Sequence, residues 1–303
     1  MASRDRDNAI ALTVFASLVW GTSFPGVEWG LRYVGNDVFF LWLRFLVASA
    51  VTLAIVLYFR KFSFSVMREP TIWMIGGLNA AGFVMQYVGL MYTTASKTAL
   101  LVDINVVAVA IISYFSFRER LNKVQLVGIL AGTLGVVLVT TDKGLSFNTG
   151  ELLGDILVYL AGWSWAFFIV LSKKTLARHS AIEVSSGAIA SCTLFLVVPV
   201  AYLMMTGADL TIEPLGWVGV VYLGIFCTSI ATLLWAMGLE GVSATASATI
   251  MLVEVITALA ISFGLLDETL TTPAIIGGAF VLAAIYLVSA SYGPAEKPSV
   301  KST

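Results

Sequence analysis

Charge is scarce in this chain. Only 12% of its 303 residues are Asp, Glu, Lys or Arg and 59% are hydrophobic, whereas a soluble domain carries roughly 25% charged residues. Mean hydropathy is +0.94, so most of the surface must face lipid. The net charge of −1 says nothing about nucleic acid, but no basic stripe exists to bind it, so no nucleic-acid partner is expected. The one histidine, His179, and the two cysteines, Cys192 and Cys227, form no metal-ligand spacing and no disulfide framework. Both cysteines lie in apolar runs and read as small packing residues. No G-x-x-x-x-G-K-[ST] occurs, which argues against direct ATP coupling. No cofactor or metal is expected.

What the chain does have is apolar runs of spanning length, about 20 residues each. Ten are read, at about 8–26, 38–59, 71–91, 96–116, 123–141, 152–171, 182–205, 214–236, 243–265 and 272–290. Polar punctuation separates them, as at Arg60-Lys61, Thr141-Asp142-Lys143-Gly144 and Gly207-Ala208-Asp209. The first run follows Arg4 and Arg6, but Trp20–Pro25 lacks a small-x-small cleavage pattern, so it reads as a retained helix rather than a signal peptide. The spans leave no room for a separate soluble domain. The expected fold is an all-α integral membrane protein of ten transmembrane helices in lipid, with 291–303 as a disordered tail.

Lysine and arginine set the orientation. With the N-terminus in the cytoplasm, that side holds Arg4, Arg6, Arg60, Lys61, Arg68, Arg118, Arg120, Lys123, Lys173, Lys174, Arg178, Lys297 and Lys301. The other side holds only Arg32, Lys97 and Lys143. Both termini are therefore expected in the cytoplasm, with the body in the plasma (inner) membrane.

The sequence also repeats. Residues 89–139 slide by 149 onto 238–288 without a gap, placing Gly89 on Gly238, Ala99 on Ala248, Ser113 on Ser262, Glu119 on Glu268 and Gly128 on Gly277. Five spans per half is an odd number, so the second copy must insert upside down, giving an inverted 5+5 repeat of 1–145 and 146–290. The loops agree: Glu119 lies among Arg118, Arg120 and Lys123, while Glu268 lies among Asp267, Thr269 and Thr272.

Trp20-Gly21-Thr22-Ser23-Phe24-Pro25, Leu43-Arg44-Phe45, Phe117-Arg118-Glu119-Arg120-Leu121 and Leu266-Asp267-Glu268-Thr269-Leu270 together resemble the drug/metabolite transporter superfamily in its EamA-type branch. The resemblance covers about 9–290, although helix 7 has no arginine matching Arg44. It implies a central cavity lined by helices 1, 3, 4, 6, 8 and 9. It also implies transport of small organic molecules, often efflux of amino acids or other metabolites.

Charges inside a bilayer are costly and point to function. Arg44 lies ~10 Å and Asp103 ~12 Å below the same face, at 1.5 Å per residue. Matching depth and opposite sign suggest a pair, either a static lock or a gate. Glu254 lies ~18 Å in, near the midplane, and the 149 offset makes Asn105 its partner. Glu254 reads as a proton carrier, a partner for a substrate ammonium, or a protonated side chain bonded between helices. Polar and aromatic residues at helical spacing complete the candidate substrate site: Asn79, Phe83 and Gln86, their counterparts Thr228, Thr232 and Trp235, then Tyr159 and Trp163, and Trp20. Aromatic walls with sparse polar groups suit an amphiphilic organic molecule. Gly128 and Gly132 form a small-residue face that serves either a homodimer or packing within the chain.

The leading expectation is a non-enzymatic secondary transporter working by alternating access, with Glu254 as the candidate for any proton coupling. The alternatives are an intramembrane aspartyl protease using Asp155 and Asp103, and a passive channel. Leu152 spoils the Gly-x-Gly-Asp context around Asp155, and no ring of like charge supports a channel.

Overall fold

The computed structural model describes residues 2–60, 64–93, 98, 101–102, 105–117, 121–140, 149–265 and 272–291. The loops around Glu119 and Glu268, Asp103 and the tail after 291 lie outside the described residues. The described chain is built of helices, with one isolated β-bridge between Val34 and Ile212.

The helices are α1 (Ala2–Gly21), α2 (Ser23–Leu31), α3 (Asp37–Tyr58), α4 (Phe64–Met67), α5 (Pro70–Leu90), α6 (Asn105–Phe117), α7 (Lys123–Thr140), α8 (Thr149–Leu176) and α9 (Ala181–Met205). Then follow α10 (Pro214–Tyr222), a π-helical stretch (Leu223–Ile230), α11 (Ala231–Gly241), α12 (Ala244–Met251), α13 (Val253–Leu265) and α14 (Thr272–Ser291). Helix falls on every apolar run read from the sequence. Five helical stretches, 5–31, 37–58, 152–176, 181–205 and 214–241, are long and apolar enough to cross a membrane. Shorter apolar helices run through 105–117, 123–135, 244–258 and 275–284.

Local chemistry sets the ends. Asn36 caps α3, its side chain accepting the Val38 and Phe39 N–H groups at 3.0 and 3.1 Å. Pro70 and Pro214 open α5 and α10, where a missing N–H costs nothing. Glu183 reaches back to the Ser180 N–H at 2.9 Å and so caps α9. That helix ends at Gly207, φ +69°. The Ala208 N–H then bonds the Leu203 carbonyl at 3.1 Å and the Gly207 N–H bonds that of Met204 at 3.4 Å, a Schellman stop that needs glycine. Beyond it the Thr211 N–H holds the Asp209 carboxyl below the usual carboxylate range.

Three predicted helices are not continuous. The first breaks at Thr22, whose hydroxyl donates to the Val19 carbonyl at 2.7 Å. Pro25 sits in the first turn of α2, so its missing N–H falls at the break. The ninth breaks at Leu252, one residue before α13 begins. The eighth widens into the π stretch.

The outer surface is apolar: Phe115, Leu130, Val198 and Tyr286 are all exposed. Close approach of helices is the interior theme. A Cβ on Gly132 would lie 3.0 Å from the Ala284 Cβ, so the small-residue face of α7 is used within the chain, against α14. A Cβ on Gly238 would run into the Thr13 hydroxyl and lie 2.8 Å from the Ala9 carbonyl oxygen. Gly238→Val is expected to destabilise the protein by about 1–3 kcal/mol through overpacking of α1 on α11. A lowered unfolding midpoint in detergent would register it.

Candidate functional site

Helices α1, α2, α3, α5, α6, α8, α11 and α12, the π stretch and the start of α13 enclose one cavity of about 700 Å³ including its mouth. Of the residues predicted for the site, Trp20, Arg44, Asn79, Phe83, Gln86, Asn105, Thr232 and Glu254 line it. Asp103 lies outside the described residues.

Arg44 is 1% exposed, and a buried guanidinium needs partners. Its Nε donates to Thr228 Oγ1 at 2.7 Å and an Nη to the Tyr87 hydroxyl at 3.2 Å. Its Cζ stands 5.1 Å from the Phe83 ring centroid, a cation–π distance. Thr228 in turn donates to the Leu223 carbonyl, five residues back, at 2.9 Å. The π stretch thus presents the hydroxyl that receives Arg44. It also supplies the Cys227 carbonyl, which accepts the Trp20 indole N–H at 2.7 Å.

One wall is aromatic. Phe83 meets Phe45 and Trp165 edge-on, each at 5.0 Å, and the Trp165 indole donates to Asn79 Oδ1 at 3.1 Å. The floor is Trp20 and Phe168. Behind it lies Trp235, stacked on Phe168 at 5.2 Å and tilted against Trp20 at 5.9 Å.

The lining also carries Asn105 and Glu254. Asn105 is 1% exposed, and its Oδ1 has no hydrogen-bond partner among the described residues. Glu254 sits in the first turn of α13, where the helix dipole favours negative charge. A Cβ on Gly21 would lie 2.6 Å from the Glu254 carbonyl oxygen, so the Trp-Gly segment packs directly on this turn.

Three predicted residues lie elsewhere. Tyr159 faces outward, 41% exposed, and Trp163 packs on the hydrophobic core beside the cavity. The cavity takes Trp165, Phe168 and Ile169, an i, i+3, i+4 face of α8. At 100° per residue the step from Trp163 to Trp165 crosses the helix, so the i, i+4 spacing of Tyr159 and Trp163 defined a face of α8 other than the one that lines the cavity. Trp235 is 1% exposed and donates to Ser247 Oγ at 3.0 Å instead of meeting the cavity. Asp155, the protease candidate, is not part of the lining.

The 149-residue register held a better signal than residue type. It pairs Trp20 with Ile169, Asn79 with Thr228, Phe83 with Thr232, Val102 with Met251 and Asn105 with Glu254. All ten of these residues line the cavity. Applied to Trp20, the register identifies Ile169 and with it the correct face of α8.

The sequence profile of the EamA-like transporter family matches residues 7–141 and again 152–290. The chain is similar to an uncharacterized transporter of Archaeoglobus fulgidus, 30% identical over 287 residues, covering 93% of this chain and 96% of that one. It is also similar to a probable amino-acid metabolite efflux pump of Escherichia coli, 24% identical, covering 93% and 94%. A protein crystal structure shares the fold with a TM-score of 0.76 over 92% of this chain and 94% of the other, at 18% identity.

Proposed function

The chain belongs to the EamA-like transporter family, and from that premise we propose that it is a secondary transporter exporting small zwitterionic organic molecules, amino acids or related compounds, across the plasma membrane. In this reading residues 1–145 and 146–290 are inverted halves that rock around the cavity, and both termini are cytoplasmic.

The observation that carries the reading is one cavity lined at five pairs of register-related positions. Helix packing supports it: α5 lies on α8 as α11 lies on α1, while α7 lies on α14 and α3 on α9. Each contact has a counterpart at the 149-residue offset or is its own counterpart. The relative described as a probable amino-acid metabolite efflux pump supports the substrate class. So does the chemistry of the walls. Arg44 offers a cation to a carboxylate, Glu254 and the unpartnered Asn105 oxygen offer acceptors to an ammonium, and the Phe83, Trp165 and Phe168 rings hold an apolar body.

The test is counterflow in proteoliposomes. Saturable exchange of radiolabelled neutral amino acids is expected, with competition by zwitterions and none by their decarboxylated amines or deaminated acids. Absence of saturable flux for every zwitterion tried would sink the reading.

A further inference from the structure

The register that pairs most of the cavity with itself leaves some lining residues without a lining partner. Ser23 and Gln86 line the cavity; their counterparts Ser172 and Trp235 do not. Nor does Ala16, the counterpart of Trp165. These three absent partners are sealed, at 0%, 1% and 0% exposure. They also share a location. Ser172 is one turn beyond Phe168 on α8, Ala16 one turn before Trp20 on α1, and Trp235 lies behind the ring floor those two residues form.

The two ends of the bundle differ in the same contacts. Trp235 donates to Ser247, while the counterpart pair, Gln86 and Thr98, is parted: Gln86 lines the cavity and Thr98 Oγ1 has no partner among the described residues. Phe24 packs with Leu90 at the cavity end. Their counterparts Lys173 and Leu239 meet through a charge, Lys173 Nζ donating to the Leu239 and Glu240 carbonyls at 2.7 and 3.2 Å. Those carbonyls end α11, where a cation is favoured. Beneath the floor, Ser172 Oγ on α8 and Ser113 Oγ on α6 are fully buried and lack hydrogen-bond partners among the described residues. Buried polar atoms are nearly always satisfied. Two neighbouring helices thus carry unsatisfied hydroxyls toward the same end.

We propose that a closed second arm of the substrate path lies beneath the Trp20–Phe168–Trp235 floor, latched by Lys173. On release, Ser172 and Trp235 take the roles that Ser23 and Gln86 hold here, and the passing zwitterion meets an indole and a hydroxyl in place of an amide and a hydroxyl. The proposal rests on the alternating-access reading above, because the register predicts exchange only if the halves swap conformations.

The experiment uses single-cysteine chains with Cys192 and Cys227 replaced by alanine, probed with a membrane-impermeant maleimide added to either face of the membrane. Ser23→Cys is expected to react from one face and Ser172→Cys only from the other. Ala16→Cys, on the facing helix, reports the same opening should Ser172→Cys fold poorly. Adding Lys173→Gln is expected to speed labelling at 172 and 16 at least fivefold and to slow labelling at 23. If 172 and 16 stay inert from both faces, with or without Lys173→Gln, while 23 reacts, the second arm is wrong and the transport reading stands. Labelling of 23 and 172 from one common face defeats the inverted arrangement itself. Labelling at 172 that is indifferent to Lys173→Gln overturns the latch.

Discussion

Replacing Arg44 with methionine or lysine is expected to lower saturated flux at least tenfold while leaving the protein folded in detergent. Arg44 is nearly inaccessible, and three groups hold it: the Thr228 hydroxyl, the Tyr87 hydroxyl and the Phe83 face. A hydrogen bond to a charged group contributes about 1.5–3 kcal/mol, so methionine forfeits both bonds and leaves two hydroxyls without a donor. Lysine keeps the charge but not the planar fork, and it cannot span Thr228 and Tyr87 while lying over the ring. The informative result is the pair. Lysine as poor as methionine means that geometry matters; full activity in the lysine variant alone would mean that the charge suffices, and full activity in the methionine variant would remove Arg44 from the site. The sequence suggested Asp103 as its partner, and Asp103 lies outside the described residues. The partners that are seen are neutral oxygens and a ring, which depth counting cannot find.

Glu254→Gln is the second large effect. Glutamine matches the shape and keeps two polar termini, so any change reports the proton or the charge. Glu254 is 5% exposed, lines the cavity and adjoins the break at Leu252. Transport in proteoliposomes is expected to lose its dependence on pH and on an imposed proton gradient, with net flux down by about tenfold or more and exchange retained. Wild-type flux with an unchanged pH profile would remove Glu254 from any coupling role.

Much of the helical layout was legible because apolar runs long enough for a bilayer are separated by residues with a mechanical reason to stop them. Gly207, which ends α9 in a left-handed turn, is one. The cavity lining was legible where the register could be applied strictly, as at Asn79, Phe83, Asn105 and Glu254. It was not at Tyr159 and Trp163, whose i, i+4 spacing defines a face of α8 but not which face meets the cavity. The breaks at Thr22 and Leu252 left little trace, since a helix interrupted among apolar neighbours keeps its composition. Trp235 exposes a different limit. The register makes it the counterpart of Gln86, yet Gln86 lines the cavity and Trp235 is sealed behind the floor, so register alone does not decide which of two related residues meets the cavity.

The π stretch at Leu223–Ile230 has no twin. Its counterpart at 74–81 lies within the regular α5, and the Arg44 it anchors corresponds to the neutral Thr193, whose hydroxyl bonds the Phe45 and Ile189 carbonyls and the Ser49 hydroxyl. The halves are therefore unequal springs. Under the rocking motion proposed above, such a carrier is expected to have a preferred resting side, with unloaded outward and inward return strokes of different speed even when no gradient is applied.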